Sequence, residues 1–325
     1  MPTIEELKYL QSQPLDRKIR ITQTRIIEWY QRFNGQVYVS FSGGKDSTVL
    51  LDLARRIYPD IEAVFVDTGL EYPEIREFIK SIDNVTTIRP KMQFKEVIEK
   101  YGYPVISKEV SHSVKYAKKN DNSKSCIYYK QKFDGTLKQK NGKKSLYCTE
   151  KWKFLLNASF KISDECCGVM KKKPAHDYGK KTGKKPIIAT MTEESRLREQ
   201  KWIQKGCNSF EQKKPVSNPM SFWTEQDVLQ YLKLTSILYA TVYGDIVPKS
   251  KVIGQLALDE VPTDLMTTGA KRTGCMFCMF GVHLEQEPNR FQRMKITHPK
   301  QYDYCIREEN GLGLGKILDF INVKY

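Results

Sequence analysis

Gln36-Val-Tyr-Val-Ser-Phe-Ser-Gly-Gly-Lys-Asp-Ser-Thr-Val-Leu-Leu-Asp-Leu-Ala-Arg-Arg56 is the stretch on which the fold turns. Its first part, Val37 to Phe41, is β-branched and aromatic, the composition of a strand; its last, Thr48 to Arg56, carries the apolar spacing of a helix. Between them lies Ser42-Gly-Gly-Lys-Asp-Ser47. Two glycines let the backbone turn tightly and approach an anion, and the amides that follow open a helix whose positive end favours negative charge. Lys45 adds a full positive charge. The four residues that a Walker loop places between its first glycine and its Gly-Lys-Ser/Thr are missing, so this is a different phosphate loop. Ser40, Ser42, Gly43, Gly44, Lys45, Asp46 and Ser47 are therefore expected to hold the phosphates of a nucleotide.

A second element works the same way. Ile61 to Val66 is an apolar run that ends in Asp67-Thr68-Gly69, with Tyr72-Pro73-Glu74 and a helical pattern behind it. Strand patterns over 37–41, 61–66 and 85–89 alternate with helical ones over 48–57, 73–81 and 93–101, the order of βαβ units. The expected fold is α/β: a doubly wound, mostly parallel, Rossmann-like sheet with helical N- and C-terminal appendages. Ligands bind such sheets at the carboxyl ends of the strands, which places Asp67, Thr68 and Gly69 beside the first loop. Pro186 to Thr190 reads as a further strand, and Glu194, Ser195, Arg196 and Arg198 follow its carboxyl end. Thr224-Glu-Gln-Asp227 resembles a capping box that opens a helix through about Leu232. The expected organisation is a helical appendage over 1–35, a nucleotide-binding domain over 36–240 with a basic insertion at 112–150, and a C-terminal cluster-binding region over 241–325.

The charge is uneven as well as large. The 54 basic and 38 acidic residues give +16. Lys115 to Lys144 holds ten lysines interleaved with Tyr116, Tyr128, Tyr129 and Phe133, and Lys171 to Lys185 holds seven more. Lysines among aromatic rings suit a surface that grips phosphates and stacks bases, so a nucleic acid, tRNA or DNA, is the expected partner; solvated loops are the plainer reading. No run of apolar residues is long enough to span a membrane, and the first residues lack a signal-peptide pattern, which leads to the expectation of a cytoplasmic protein.

Eight cysteines occur, and without a secretory pattern metal binding outranks disulfides. Cys166 and Cys167 are adjacent, and Cys275 and Cys278 form a Cys-x-x-Cys. Neighbouring side chains diverge, which is awkward for one tetrahedral ion, whereas a cubane offers each thiolate its own iron. Zinc and unligated thiols are the alternatives. Cys207 and Cys305 stand out as candidate sulfur carriers.

Phe41-Ser-Gly-Gly-Lys-Asp-Ser47, Val66-Asp-Thr-Gly-Leu-Glu-Tyr-Pro-Glu74, Cys166-Cys167, Pro219 to Leu229 and Gly274-Cys-Met-Phe-Cys278 together resemble the phosphoadenosine phosphosulfate (PAPS) reductase-like branch of the adenine nucleotide α-hydrolase superfamily, whose loop is that of the ATP pyrophosphatases. The cysteine set is similar to the [4Fe-4S] site of assimilatory sulfonucleotide reductases, although the gap between the pairs (275 − 167 = 108) is long. The resemblance implies ATP with Mg²⁺ at the loop, Lys45, Asp46, Asp67 and Arg196 as the reacting residues, and a [4Fe-4S] cluster on the four cysteines. Two chemistries follow. One is adenylation of a substrate for sulfur transfer, as in tRNA thiolases and DNA phosphorothioation enzymes, with a cysteine desulfurase or another sulfur donor as partner. The other is sulfonucleotide reduction, but the intact loop and the lack of a Glu-Cys-Gly-Leu-His tail depart from that pattern. A non-catalytic subunit that binds ATP and nucleic acid is a third reading.

Overall fold

The structure is a computed structural model, described over residues 2–119, 121–249 and 264–325. Its elements begin with α1 (Ile4–Gln11), α2 (Leu15–Arg32), β1 (Val37–Ser40), α3 (Lys45–Arg55), β2 (Ala63–Val66), α4 (Pro73–Lys80) and β3 (Val85–Ile88). Next come α5 (Phe94–Tyr101), β4 (Val105–Ile106), α6 (Lys108–Ala117), α7 (Lys124–Asp134), α8 (Glu165–Cys167) and α9 (Lys173–Thr182). After these stand β5 (Lys185–Ile188), α10 (Arg196–Lys205), β6 (Asn208–Ser209), β7 (Val216–Ser217), α11 (Glu225–Thr235), β8 (Ile246–Pro248), β9 (Leu265–Thr267) and β10 (Met279–Phe280). Helices Arg290–Thr297, Pro299–Ile306 and Leu314–Phe320 close the chain. No helix among the described residues is long and apolar enough to cross a membrane.

The chain divides into two compact units. The first comprises Met1–Asp67, Glu71–Arg89 and Ala175–Thr273. Its sheet runs β3-β2-β1-β5-β7-β6, parallel except for the edge pair β6 and β7. The expected α/β class and mostly parallel sheet are therefore present. β1 lies between β2 and β5, with Ser40 level with both Val64 and Ile188. The three strands end on one sheet edge, so the segments that follow them leave from the same side. Strand residues Val37, Val39, Ala63, Phe65 and Ile187 are buried against Val49, Leu50, Leu53 and Ala54 of α3. A residue buried on both sides of a sheet has no reason to alternate with polar neighbours, which is why these strands read as apolar runs.

The N-terminal helices are not an appendage. Leu7, Ile26 and Trp29 are part of the buried core of this unit, and α2 is tied in by Lys18 Nζ donating to Asp227 Oδ2 at 2.6 Å. Trp223 Nε1 also donates to Thr22 Oγ1 at 2.8 Å. The capping box of α11 is formed as expected, with Thr224 N donating to Asp227 Oδ2 at 2.7 Å and Asp227 N to Thr224 Oγ1 at 3.3 Å.

The second unit comprises Thr68–Leu70, Pro90–Pro174 and Gly274–Tyr325. Here β4 pairs in parallel with β10, Val105 opposite Met279. The basic stretch 112–150 belongs to this unit and carries the end of α6 and all of α7. Val110, Val114 and Ala117 of α6 and Cys126 and Phe133 of α7 are buried, at the three-, four- and seven-residue spacings of helix stripes. The compact units differ from the expected division at 36–240 and 241–325, with 90–174 grouped with 274–325. Long-range contacts between separate segments set these boundaries, and local periodicity does not record them.

Candidate functional site

Gly43 has φ +71°, a conformation that side chains rarely adopt, and a Cβ built there would stand 2.8 Å from Ile75 Cγ2 and 2.9 Å from Ile79 Cδ1. The loop therefore lies flat on α4, and glycine is required there on two counts. Gly44 is the N-cap of α3. Ser47 Oγ accepts from Ser42 N at 3.2 Å and donates to Gly44 O at 2.9 Å, and Thr48 Oγ1 donates to the same carbonyl at 3.1 Å. The two hydroxyls thus fix the turn. Lys45 N donates to Tyr243 Oη at 3.2 Å, and that hydroxyl shares a 2.5 Å hydrogen bond with Thr273 Oγ1. Burial pushes the Tyr243 hydroxyl up to about 12, so it stays protonated at neutral pH.

Lys45 is only 5% exposed. Its ammonium donates to Glu225 Oε1 at 2.6 Å and to Lys271 O at 2.7 Å. Asp46 is also withdrawn from solvent, its Oδ1 buried with no hydrogen-bond partner. Burial raises its pKa against the pull of Lys45, Arg272 and Arg198, while Glu225 pushes the same way as burial. Burial lowers the Arg198 pKa, the Arg272 guanidinium lowers it further, and Asp46 opposes both. Two guanidinium groups, one ammonium and the amino end of α3 thus converge around one carboxyl, an arrangement that favours an anion. The orphaned Asp46 oxygen has the chemistry of a ligand for a hard cation such as Mg²⁺.

Asp67 stands at the end of β2, 6% exposed, and its Oδ2 accepts from Arg76 Nη2 at 3.0 Å and Arg89 Nε at 3.2 Å. Ser40, at the end of β1, is half-buried. Glu194 pairs with Arg198, and Ser195 caps α10 by accepting from Arg198 N at 3.4 Å. Arg196 is exposed on the first turn of α10. The arginine of this segment that meets Asp46 is therefore Arg198. Thr68 and Gly69 belong to the second unit, where Thr68 Oγ1 accepts from Leu70 N at 3.2 Å and Leu70 O accepts from Met276 N at 2.8 Å. Glu225, Tyr243, Lys271 and Thr273 around the loop, and Arg76 and Arg89 at Asp67, were not marked as site residues by the sequence. Each is an ordinary residue type in no phosphate motif, and only folding brings it to the strand ends.

Cys166, Cys167, Cys275 and Cys278 all belong to the second unit. Burial raises the Cys166 pKa strongly, and Cys275, Cys167 and Cys278 each raise it further. Cys278 is raised by burial and by Cys167, opposed by a hydrogen bond from Phe280 N and by Arg290 and Lys171. Arg290 Nη1 also donates to Cys278 O at 2.9 Å while its other nitrogens clamp Glu285. Among the described residues no three His, Cys, Asp or Glu side chains are arranged closely enough to hold a metal ion. Thiol sulfur is nevertheless the donor type that soft metal centres take. Cys207 is 8% and Cys305 0% exposed, and burial raises the Cys305 thiol far above its usual range. Both are withdrawn from the surface, which does not suit the sulfur-carrier role expected of them.

Several lysines of the basic stretches are consumed internally. Lys115 pairs with Glu165, Lys132 with Glu109, Lys144 with Glu150 and Lys184 with Glu62. What α6 and α7 present instead is a group of rings: His112 and Tyr116 with centroids 4.6 Å apart, Tyr116 and Tyr129 at 5.4 Å, Tyr128 and Tyr129 at 5.1 Å. The exposed Lys119 ammonium lies 4.6 Å from the Tyr116 centroid.

Residues 36–147 match the Phosphoadenosine phosphosulfate reductase domain family. An uncharacterized protein of Methanocaldococcus jannaschii is 36% identical over 95 residues, 28% of this chain and 23% of its own length. An adenosine 5'-phosphosulfate reductase of Staphylococcus epidermidis is 28% identical over 131 residues, 36% of this chain and 54% of its own length. The chain thus spans about a quarter of the first relative and about half of the second. The crystal structure of phosphoadenylyl-sulfate (PAPS) reductase from Candida auris, a phosphate complex, aligns with TM-score 0.40 and 12% identity, covering 80% of this chain and 96% of that one.

Proposed function

We propose that this chain, whose residues 36–147 match the Phosphoadenosine phosphosulfate reductase domain family, is an ATP pyrophosphatase that adenylates a nucleic acid for sulfur transfer. The observation that carries this reading is the convergence of Lys45, Arg198 and Arg272 on an intact Ser42–Ser47 loop. A sulfonucleotide has no β and γ phosphates to occupy so cationic a loop. When an acceptor oxygen attacks the α-phosphorus of ATP, the α–β bridge breaks and charge gathers on the departing pyrophosphate. Amides and cations already fixed in place stabilise that charge without reorganising. Asp46 would hold Mg²⁺, whose charge would shield the β and γ phosphates. Tyr243, through Lys45 N and Thr273, keeps the start of α3 in register with the phosphates. Cys166, Cys167, Cys275 and Cys278 would hold a [4Fe-4S] cluster, which supplies a site for sulfur or electron chemistry. The rings and exposed lysines of α6 and α7 are the proposed contact for the acceptor, with stacking and phosphate neutralisation acting together.

The second reading, an adenylyl sulfate or PAPS reductase, is favoured by the likeness to the adenosine 5'-phosphosulfate reductase of Staphylococcus epidermidis. It requires an accessible thiolate to attack sulfur, and the burial of Cys207 and Cys305 counts against these two in that role. The test separates the readings. Incubated with ATP, Mg²⁺ and tRNA or DNA, the protein should release AMP and pyrophosphate, and Lys45→Ala should not. ADP as the main product would sink the proposal, and sulfite release from adenylyl sulfate would install the second reading.

A further inference from the structure

We propose that Glu225 is a specificity-determining residue of the anion loop: its carboxylate occupies the place of a phosphate on Lys45 and yields only to a ligand that brings more charge to that point. The inference rests on the reading of Ser42–Ser47 as a phosphate loop. The ion pair is lopsided. The Lys45 side chain is 6% exposed and that of Glu225 is 45% exposed, with 2.6 Å between Nζ and Oε1. The ammonium is thus inside and the carboxylate reaches it from the solvent side, the direction from which a ligand arrives.

Glu225 is placed for this task by its neighbours. It is the first residue of α11, whose start is locked by the Thr224 and Asp227 capping box, and its own N–H donates to Glu193 Oε2 at 2.7 Å. Other loop donors are also turned onto protein acceptors: Lys45 N onto Tyr243 Oη at 3.2 Å, Ser42 N onto Ser47 Oγ at 3.2 Å and Gly44 N onto Ser42 Oγ at 3.4 Å. The loop is self-liganded, and among the described residues Glu225 is the carboxylate that forms an ion pair and hydrogen bond with its lysine. A ligand with a single weak charge at that point gains little by exchanging for a carboxylate already there. A pyrophosphate group, with several charges spread over the loop, displaces it. Glu225 thereby sets the charge that a ligand must bring to Lys45 before it binds.

The experiment is calorimetric titration with inorganic pyrophosphate, ATP and AMP, using the full chain and the variants Glu225→Gln, Glu225→Asp, Lys45→Ala and Lys45→Ala/Glu225→Gln. Replacing the charge by an isosteric amide should tighten pyrophosphate binding about tenfold, the scale of one charge-assisted hydrogen bond. AMP, which brings less charge to Lys45, should gain by no more than the same factor, and the gain should vanish when Lys45 is absent. Glu225→Asp keeps the charge and should not reproduce the gain. Unchanged or weaker pyrophosphate binding by Glu225→Gln overturns the proposal, as does a gain that persists without Lys45. An equal gain in Glu225→Asp also overturns it, because the effect would then come from a disturbed α11. The readout is binding alone, so a protein that behaves this way yet makes no AMP from ATP keeps the role of Glu225 and loses the pyrophosphatase reading.

Discussion

Replacing Gly43 by alanine tests whether the loop is held in shape by its seat on α4. Two separate costs arise. Putting a side chain at φ +71° costs about 1–2 kcal/mol for a residue with a Cβ. The new methyl would stand 2.8 Å from Ile75 and 2.9 Å from Ile79, both buried, so a shift of about 0.6 Å is needed to reach an ordinary 3.4 Å contact. Forcing an extra carbon into a packed site costs about 1–3 kcal/mol more, which makes the expected loss roughly 2–5 kcal/mol. Gly183→Ala is the control: its φ is +77° and nothing lies within 4 Å of the added carbon, so only the conformational cost of about 1–2 kcal/mol applies. Urea denaturation of the two variants isolates the steric part as their difference, and pyrophosphate titration shows whether the displaced loop still binds. Equal stability of the two variants, with pyrophosphate affinity kept in Gly43→Ala, would refute the account of the loop as glycine-dependent by packing.

Asp227→Ala should leave the Lys18 ammonium unpaired with side-chain exposure of 3% and remove the cap of α11, costing about 3–5 kcal/mol by urea denaturation; a loss below about 1 kcal/mol would show that the pair is not the anchor of α2. Burial alone raises the Cys305 pKa above the usual thiol value of about 9. The folded state therefore holds this proton more tightly than the unfolded chain, so the contribution is complete below pH 9 and fades as pH rises toward the folded value. Cys305→Ala should flatten the fall in unfolding midpoint above that pH, and an unchanged slope would refute it. Anaerobically purified protein should be brown and contain iron, and serine at any one of Cys166, Cys167, Cys275 or Cys278 should reduce the iron content; stoichiometric zinc without iron would overturn the cluster. Serine in place of Lys119, Lys124 and Lys130, all exposed on or near α6 and α7, should weaken tRNA or DNA binding and flatten its salt dependence by up to about three units of log–log slope, while ATP affinity stays unchanged.

The sequence by itself determined the strands, the loop and the helix starts. Val37 to Val39 and Ala63 to Val66 are largely apolar because both faces of the sheet are covered, and Gly43 and Gly44 stand where the chain turns into α3. The capping box at Thr224 is equally local, since its two hydrogen bonds join residues three apart. Such signals survive in one dimension because the forces that set them act over a few residues. Only the tertiary structure decided that Leu7, Ile26 and Trp29 are core, that Lys45 meets Glu225 across 180 positions and Lys271 across 226, and that Arg198 rather than Arg196 faces Asp46. The same holds for the two units, each assembled from separate stretches of chain. Electrostatic partners and packing surfaces depend on distance through space, and an exposed Glu and a loop Arg carry the same letters wherever they fold to.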